Sequence, residues 1–347
     1  MYKVSIIGAG NVGASAAADL AVSQLANVVL IDINGGVAKG KALDIVQTGP
    51  ILGHGALITG SVDYSATANS DVIVITAGIA RKKDMSRDDL LKINAGIVSA
   101  AALEAVKYSP NAIFIVVTNP LDVMTSLVQQ VTGLPSTRVI GMAGVLDSAR
   151  LESFIAEYLQ VSPLDVRAMV LGGHGDLMVP LPRHASVKGV PVCDLVPAEI
   201  LDAMLKRTVH GGAEIVGHLV TGSAYYAPGA SVAVMVKSIL LDERRLLPCS
   251  VMPHGEYGLT DVYVGLPCII GRNGLEKIVP ITLTEEEQAA LVISANSIKA
   301  SIALTDSLLH PVEITETEAE EKAAEAEEDT TTAKPPAPTS ANTGDAK

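Results

Sequence analysis

Two kinds of hydrophobic patterning divide the chain. Over residues 2–141, short unbroken apolar runs alternate with longer helix-compatible stretches. Tyr2–Ile7, Val28–Ile31, Ala56–Ser61, Val72–Thr76 and Ala112–Thr118 read as strands. Ala14–Ala26, Lys39–Gln47 and Ser86–Tyr108 read as helices, with Gly35-Gly36 as a turn. Runs of Val and Ile without polar alternation fit strands buried on both faces, and their alternation with helices predicts a parallel, doubly wound sheet. Ser86-Arg87-Asp88-Asp89 has capping-box spacing and marks the start of its helix. The pattern then loosens. Helices are expected at Val145–Leu159, Pro197–Gly211, Ser231–Leu240 and Thr284–Leu309. Short strands are expected at Asp165–Val170, Val251–Met252, Asp261–Ile270 and Ile278–Leu283. The fold class is therefore α/β, an N-terminal Rossmann-type parallel sheet over residues 1–143 followed by an α+β part over 144–312.

The first strand runs straight into Gly8-Ala9-Gly10-Asn11-Val12-Gly13, and the second ends on Asp32, nineteen residues past Gly13. Strand, glycine turn, helix, strand and acid in this register form the dinucleotide-binding fingerprint. Gly8 permits the tight turn, Gly10 lets the backbone approach a pyrophosphate at the helix N-terminus, and Gly13 lets helix and strand pack closely. Asp32 can accept hydrogen bonds from both hydroxyls of an adenine ribose. It would repel a 2′-phosphate, and no Arg follows it directly, so the expected cofactor is NAD and not NADP.

The last stretch, 313–347, has another character. Its ten acids against three lysines leave a net charge of −7, and it ends in Thr, Ala, Pro and Ser. Such a segment cannot bury enough apolar surface to order itself, so it is expected to be a disordered, solvating tail. The whole chain carries −13 and shows no basic stripe, which argues against nucleic acid. Although 48% of residues are hydrophobic, runs such as Val72–Ile75 and Ala112–Val117 fall far short of the ~20 residues that span a bilayer, so no membrane insertion is expected. Gly8, Gly10, Asn11 and Asp19 break what would be the apolar region of an export signal. Three widely spaced cysteines, Cys193, Cys249 and Cys268, fit reduced thiols in a cytoplasm better than a disulfide framework or a zinc site. No His, Cys and acid cluster has metal-ligand spacing.

Candidate chemistry gathers at predicted strand ends. His174 lies in Gly172-Gly173-His174-Gly175-Asp176, after a strand, where an imidazole can exchange protons near neutral pH. None of the six other histidines lies in a comparable glycine-framed loop at a strand end. Asp147 and Arg150 fall at i, i+3 on one helix face. An Asp there can orient a His, and an Arg can hold a carboxylate in a bidentate fork. Arg81 and Arg87 flank a charged segment after Thr76-Ala77-Gly78 that can close over an anionic substrate. Asn119, between a strand and Pro120, can bond a substrate oxygen or a ribose; a cis Asn119–Pro120 bond is open at this point.

As a set, GAGNVG, TAG…ARKKDMSRDDL, VTNPLDV, GMAGVLDSAR, GGHGD and TGSAYYAP resemble the lactate/malate dehydrogenase family, nearest its lactate-dehydrogenase-like malate dehydrogenases. The resemblance runs from about Lys3 to Leu309. It implies reversible NAD-dependent oxidation of (S)-malate to oxaloacetate, with His174 exchanging the hydroxyl proton and Asp147 stabilising it. It further implies that Arg150 grips the C1 carboxylate, that Arg87 polarises the C2 carbonyl with help from Asn119, and that Arg81 pairs with the second carboxylate. A lactate enzyme would normally carry Gln at that position. Contacts to NAD are implied for Gly8, Ala9, Gly10, Asn11, Val12, Gly13, Asp32, Asn94, Val117, Thr118 and Asn119. A homo-oligomer, dimer or tetramer, is implied as well. Ala80 stands where Pro is more usual, and Leu151 where an aromatic is; neither removes a reacting group. Two competing readings are a dehydrogenase of lactate or another 2-hydroxy acid, which Arg81 opposes, and a catalytically silent NAD-binding or scaffold protein working through the acidic tail, which the intact residue set opposes.

Overall fold

The computed structural model describes residues 1–79 and 85–309, the side chain of Arg87 excepted. Arg81 and the acidic segment 313–347 therefore lie outside the described residues. The elements run β1 (Tyr2–Ile7), α1 (Asn11–Val22), β2 (Ala26–Ile31), α2 (Gly35–Gln47), α3 (Gly49–Leu52), β3 (Ile58–Ser61), β4 (Val72–Ile75), α4 (Arg87–Tyr108), β5 (Ile113–Val116), α5 (Leu121–Thr132), β6 (Val139–Gly141) and α6 (Gly144–Leu159). They continue with β7 (Val166–Arg167), β8 (Val170–Gly172), β9 (Met178–Pro180), β10 (Ser186–Val187), β11 (Val190–Pro191), α7 (Val192–Leu195), α8 (Ala198–Leu219), α9 (Tyr226–Leu240), β12 (Arg245–Val251), β13 (Val264–Gly271), β14 (Gly274–Ile278) and α10 (Glu285–Leu309).

Eleven strands form one sheet in the order β3-β2-β1-β4-β5-β6-β12-β13-β8-β9, with β14 on β13. The strands from β3 to β6 pair in parallel, the doubly wound arrangement expected. Every residue of β4 and β5 is buried, which is why they read as unbroken apolar runs. Beyond β6 the ladder turns antiparallel, starting at Ser250 opposite Gly141. The α+β half thus extends the first sheet, and only β11-β10-β7 form a separate one. None of the described helices is long and apolar enough to cross a membrane.

Several expected boundaries move, for local reasons. Gly35-Gly36 is not a turn but the first turn of α2, because the Asn34 side chain accepts from the Gly36 and Val37 N–H groups and caps the helix there. Likewise α1 begins at Asn11, so the second half of the glycine motif is already helical. The capping box at Ser86 and Asp89 forms as the spacing predicts. The single strand expected at Asp165–Val170 splits into β7 and β8 in different sheets. The Ala168 N–H between them is pinned by Glu152 Oε1 at 3.0 Å. Pro248 hides most of β12 from a sequence reading. In the fold it faces Pro267, so the two missing donors fall at one rung. Gly211-Gly212 does not end α8, which continues to Leu219. Helix α5 and strand β6 escape the sequence pattern altogether. Over Leu121–Val128, the first two turns of α5, polar and apolar residues are buried alike, so polarity does not mark a buried face there.

Candidate active site

The crevice for a dinucleotide opens where the strand order reverses, between the ends of β1 and β4. Gly8 has φ +107°, and a Cβ there would lie 2.6 Å from Ala77 N. A Cβ on Gly13 would lie 2.1 Å from Gly8 O, whereas one on Gly10 would meet no protein atom within 4 Å. Helix α1 has neither a side-chain cap nor an acid in its first turn, so its positive end stays open beside that space. Asp32 Oδ2 accepts the Ala9 N–H at 2.8 Å and Oδ1 the Asn34 N–H at 2.9 Å. Each oxygen keeps a lone pair for a ribose hydroxyl. The space at Gly10 and this carboxylate are the two features an adenine dinucleotide requires, and the residues present fit it.

The far rim is braced by polar side chains. Thr118 Oγ1 donates to Ala77 O at 2.7 Å, and Val117, at the end of β5, is buried. Asn94, from α4, accepts the Ile79 N–H at 2.8 Å and donates to Ile79 O at 3.2 Å and to Asn119 O at 2.8 Å. Its amide thereby holds two loops in register. The Asn119–Pro120 peptide is cis.

His174 follows β8, where the antiparallel half of the sheet brings it to the same region. Gly173 N donates to Ser294 Oγ of α10 at 2.8 Å, and His174 N donates to Asp122 Oδ2 of α5 at 2.8 Å. The ring bonds through Nδ1 to Asp147 Oδ2 at 2.8 Å. Nε2 is then the nitrogen left to face a cavity of about 480 Å³, which His174 shares with Asn119, Asp122, Asp176 and Ser294. Arg150, one turn after Asp147 on α6, donates from NH1 to Asp147 Oδ1 at 3.1 Å. The Arg150 and His174 side chains are each 13% exposed, and Asp147 only 2%. The Arg150 Nε is buried with no hydrogen-bond partner. A buried donor left open marks a place for an acceptor from outside the protein.

Electrostatics in this cluster compete. Burial lowers the pKa of His174, but the Asp147 charge and hydrogen bond, with a smaller contribution from Asp122, outweigh it and hold the imidazole above its ordinary value. Burial raises the Asp122 carboxyl, against the bonds from Ser250 and His174 N–H.

Of the residues singled out from sequence, the structure brings His174, Asp147 and Arg150 into one bonded cluster. It sets Asn119 on the same cavity as His174, and Gly8–Gly13 with Asp32 on the crevice. The side chains of Arg81 and Arg87 lie outside the described residues. Asp122, Ser250, Ser294 and Gly211 were missed. One signal was present for Asp122, an acid at the head of an otherwise buried run.

The family comparisons agree with this geometry. Residues 2–141 match the lactate/malate dehydrogenase NAD-binding domain, and residues 144–308 match the family's alpha/beta C-terminal domain. The chain belongs to the lactate/malate dehydrogenase family. Among this family's members, a malate dehydrogenase of Synechocystis sp. is 53% identical over 87% of the chain and 93% of the relative. One of Roseiflexus sp. is 52% identical over 87% of the chain and 97% of the relative. The structure of Salinibacter ruber malate dehydrogenase superposes with a TM-score of 0.85 at 45% identity, covering 88% of this chain and 98% of that one. A Cryptosporidium parvum lactate dehydrogenase complexed with lactic acid and NAD also gives 0.85, at 41% identity over 88% and 98%.

Proposed function

We propose that this chain is an NAD-dependent malate dehydrogenase, interconverting (S)-malate and oxaloacetate. The observation that carries the reading is the His174–Asp147–Arg150 cluster, set beside an NAD-binding domain in a chain about half identical to malate dehydrogenases. NAD, when bound, supplies the hydride acceptor. Gly8, Ala9, Gly10, Asn11, Val12 and Gly13 hold its pyrophosphate on the end of α1, Asp32 its adenine ribose, and Val117, Thr118, Asn119 and Asn94 line its nicotinamide side.

The protein's own steps follow from its charges. His174 Nε2 takes the C2 hydroxyl proton of malate in oxidation and returns it to the carbonyl oxygen of oxaloacetate in reduction. Asp147 fixes the ring by Nδ1 and stabilises the imidazolium. Arg150 turns its open donors to the C1 carboxylate. Arg87 polarises the C2 carbonyl, Asn119 orients it, and Arg81 pairs with the second carboxylate. An Arg81 closed over the methyl of pyruvate would be a buried unpaired charge, costing several kcal/mol. The same reading divides the chain into an NAD-binding part (1–143), a substrate part (144–312) and an acidic tail (313–347). It also includes a cytoplasmic homo-oligomer, dimer or tetramer, supported by family resemblance.

The test is NADH oxidation with oxaloacetate and pyruvate side by side, in the native protein and in Arg81→Gln. Oxaloacetate should be preferred in kcat/KM by about 10³ or more, and the variant should lose most of that margin. Preference for pyruvate would overturn the substrate. NADH binding without turnover of either acid would leave only a silent NAD-binding protein.

A further inference from the structure

We infer that Asp122 is a positioning residue for proton transfer: it anchors the His174 loop to the Asn119 end of the site, and its negative charge sets the pH at which His174 hands over its proton. The inference rests on His174 being the proton carrier, and it assigns a second carboxylate to that group.

Asp122 lies in the first turn of α5, three residues after Asn119, and is only 5% exposed. Its two oxygens divide their work. Oδ2 accepts the His174 backbone N–H at 2.8 Å, and Oδ1 accepts the Ser250 hydroxyl of β12 at 2.6 Å. One side chain thus ties α5 to the His174 loop and to the first antiparallel strand after β6. Ser250 stands opposite Gly141, where the two halves of the sheet join. A mere brace would not need a charge. Asn can accept the same N–H and meet the same hydroxyl, and it avoids the desolvation of a carboxylate.

No Lys or Arg among the described residues pairs with Asp122. The cationic group that acts on it is His174, and Asp147 repels it. The groups that face His174 are Asp147 and Arg150 from α6 and Asp122 from α5. Asp88 of α4 and Asp176 of the loop line the same cavity, and α10 presents only Ser294, Ser297, Ser301 and apolar residues there. With His174 neutral, the buried cluster has two carboxylates and one guanidinium. With His174 protonated it is balanced. Asp122 therefore favours the imidazolium, the form that gives a proton to oxaloacetate. The positive end of α5 helps keep its carboxylate charged.

The sign follows. Reduction needs the imidazolium and fails as pH rises through the His174 pKa. Oxidation needs the neutral ring and fails as pH falls through it. Asp122→Asn removes a negative charge, so both limbs should move to lower pH by about one pH unit, with NADH affinity unchanged. Ser250→Ala removes a donor that stabilises the Asp122 carboxylate, and should move them the same way by less. The experiment is the pH dependence of kcat/KM for oxaloacetate reduction and malate oxidation in both variants. A lower kcat with both limbs in place would make Asp122 a structural brace and overturn the inference, as would no change at all. If Asp122→Asn does not fold, Ser250→Ala decides by the same criterion. His174→Asn, run in parallel, separates the two claims. Turnover retained there overturns the proton-carrier reading, whereas loss there with unmoved limbs in the other variants overturns only the role of Asp122.

Discussion

In the crevice after β1, nearly everything a ligand would meet is backbone: open N–H groups at the head of α1, glycines where a Cβ would collide, and a single carboxylate already held by two amides. Around His174 the material is the opposite. Asp122, Asp147, Arg150, Ser250 and Ser294 come from three helices and a strand, and each holds its neighbour by a side chain. The first region suits a pyrophosphate, a fixed charge that dipoles can hold without changing state. On the proposed function the second adds and removes a proton, which calls for groups whose charge answers to their surroundings. If the two regions are as separate as their materials, each can be disabled alone.

The largest effect should come from His174→Asn. Asn keeps a polar side chain in the loop but cannot carry the proton. Turnover in both directions should fall by about a thousandfold, within the range general acid–base groups contribute. NADH titrated by fluorescence should bind as before. Loss of NADH binding as well would show that the His174 loop also builds the crevice, and the separation would fail.

The same contrast explains what could be read in advance. The dinucleotide site is contiguous from Tyr2 to Asp32, because one βαβ unit makes it. Its glycines and its acid therefore stand at fixed spacings. The proton-transfer cluster is assembled across more than a hundred residues, from Asp122 to Ser294. Only its local pieces show in sequence: Asp147 with Arg150, and the glycines around His174. Ser250 was hidden because Pro248 breaks the strand pattern that would have placed it. Asp122 was hidden because the first two turns of α5 bury polar and apolar residues alike, so sequence polarity does not mark the buried face there. Gly211 reads as a helix end by propensity. It lies mid-helix in α8, packed against the Arg150 side chain, a tertiary neighbour that no local pattern contains.

A pair of glycine variants sharpens the backbone side of the comparison. Gly13→Ala puts a methyl 2.1 Å from Gly8 O, a backbone atom that cannot swing away. Stability should drop by about 1–3 kcal/mol, read as a lower Tm, and NADH binding should weaken with it. Gly10→Ala puts its methyl where no protein atom lies within 4 Å. Its Tm should stay put while NADH affinity falls by at least about tenfold, or 1.4 kcal/mol. Equal losses of Tm in the two variants would mean that Gly10 serves the fold, not a ligand.

The smallest effect tests whether the side-chain region also uses glycine to make room. A Cβ on Gly211 of α8 would lie 3.1 Å from Arg150 Cδ. That contact is tight, but a flexible side chain can yield by a few tenths of an ångström. In the helix interior, Ala is favoured over Gly by roughly 0.5–1 kcal/mol, which offsets the squeeze. Gly211→Ala should therefore leave Tm unchanged or slightly raised. The displaced guanidinium should still bond Asp147 while meeting the substrate carboxylate less well. Since a misplacement of 1 Å can cost about 10²-fold, a few tenths should raise KM for oxaloacetate roughly threefold. The pH limbs should not move, because Asp147 and Asp122 keep their bonds to His174. A KM rise without a Tm loss would assign the glycine to Arg150. A Tm loss without a KM rise would return it to packing, and Arg150 would then owe its position to Asp147 alone.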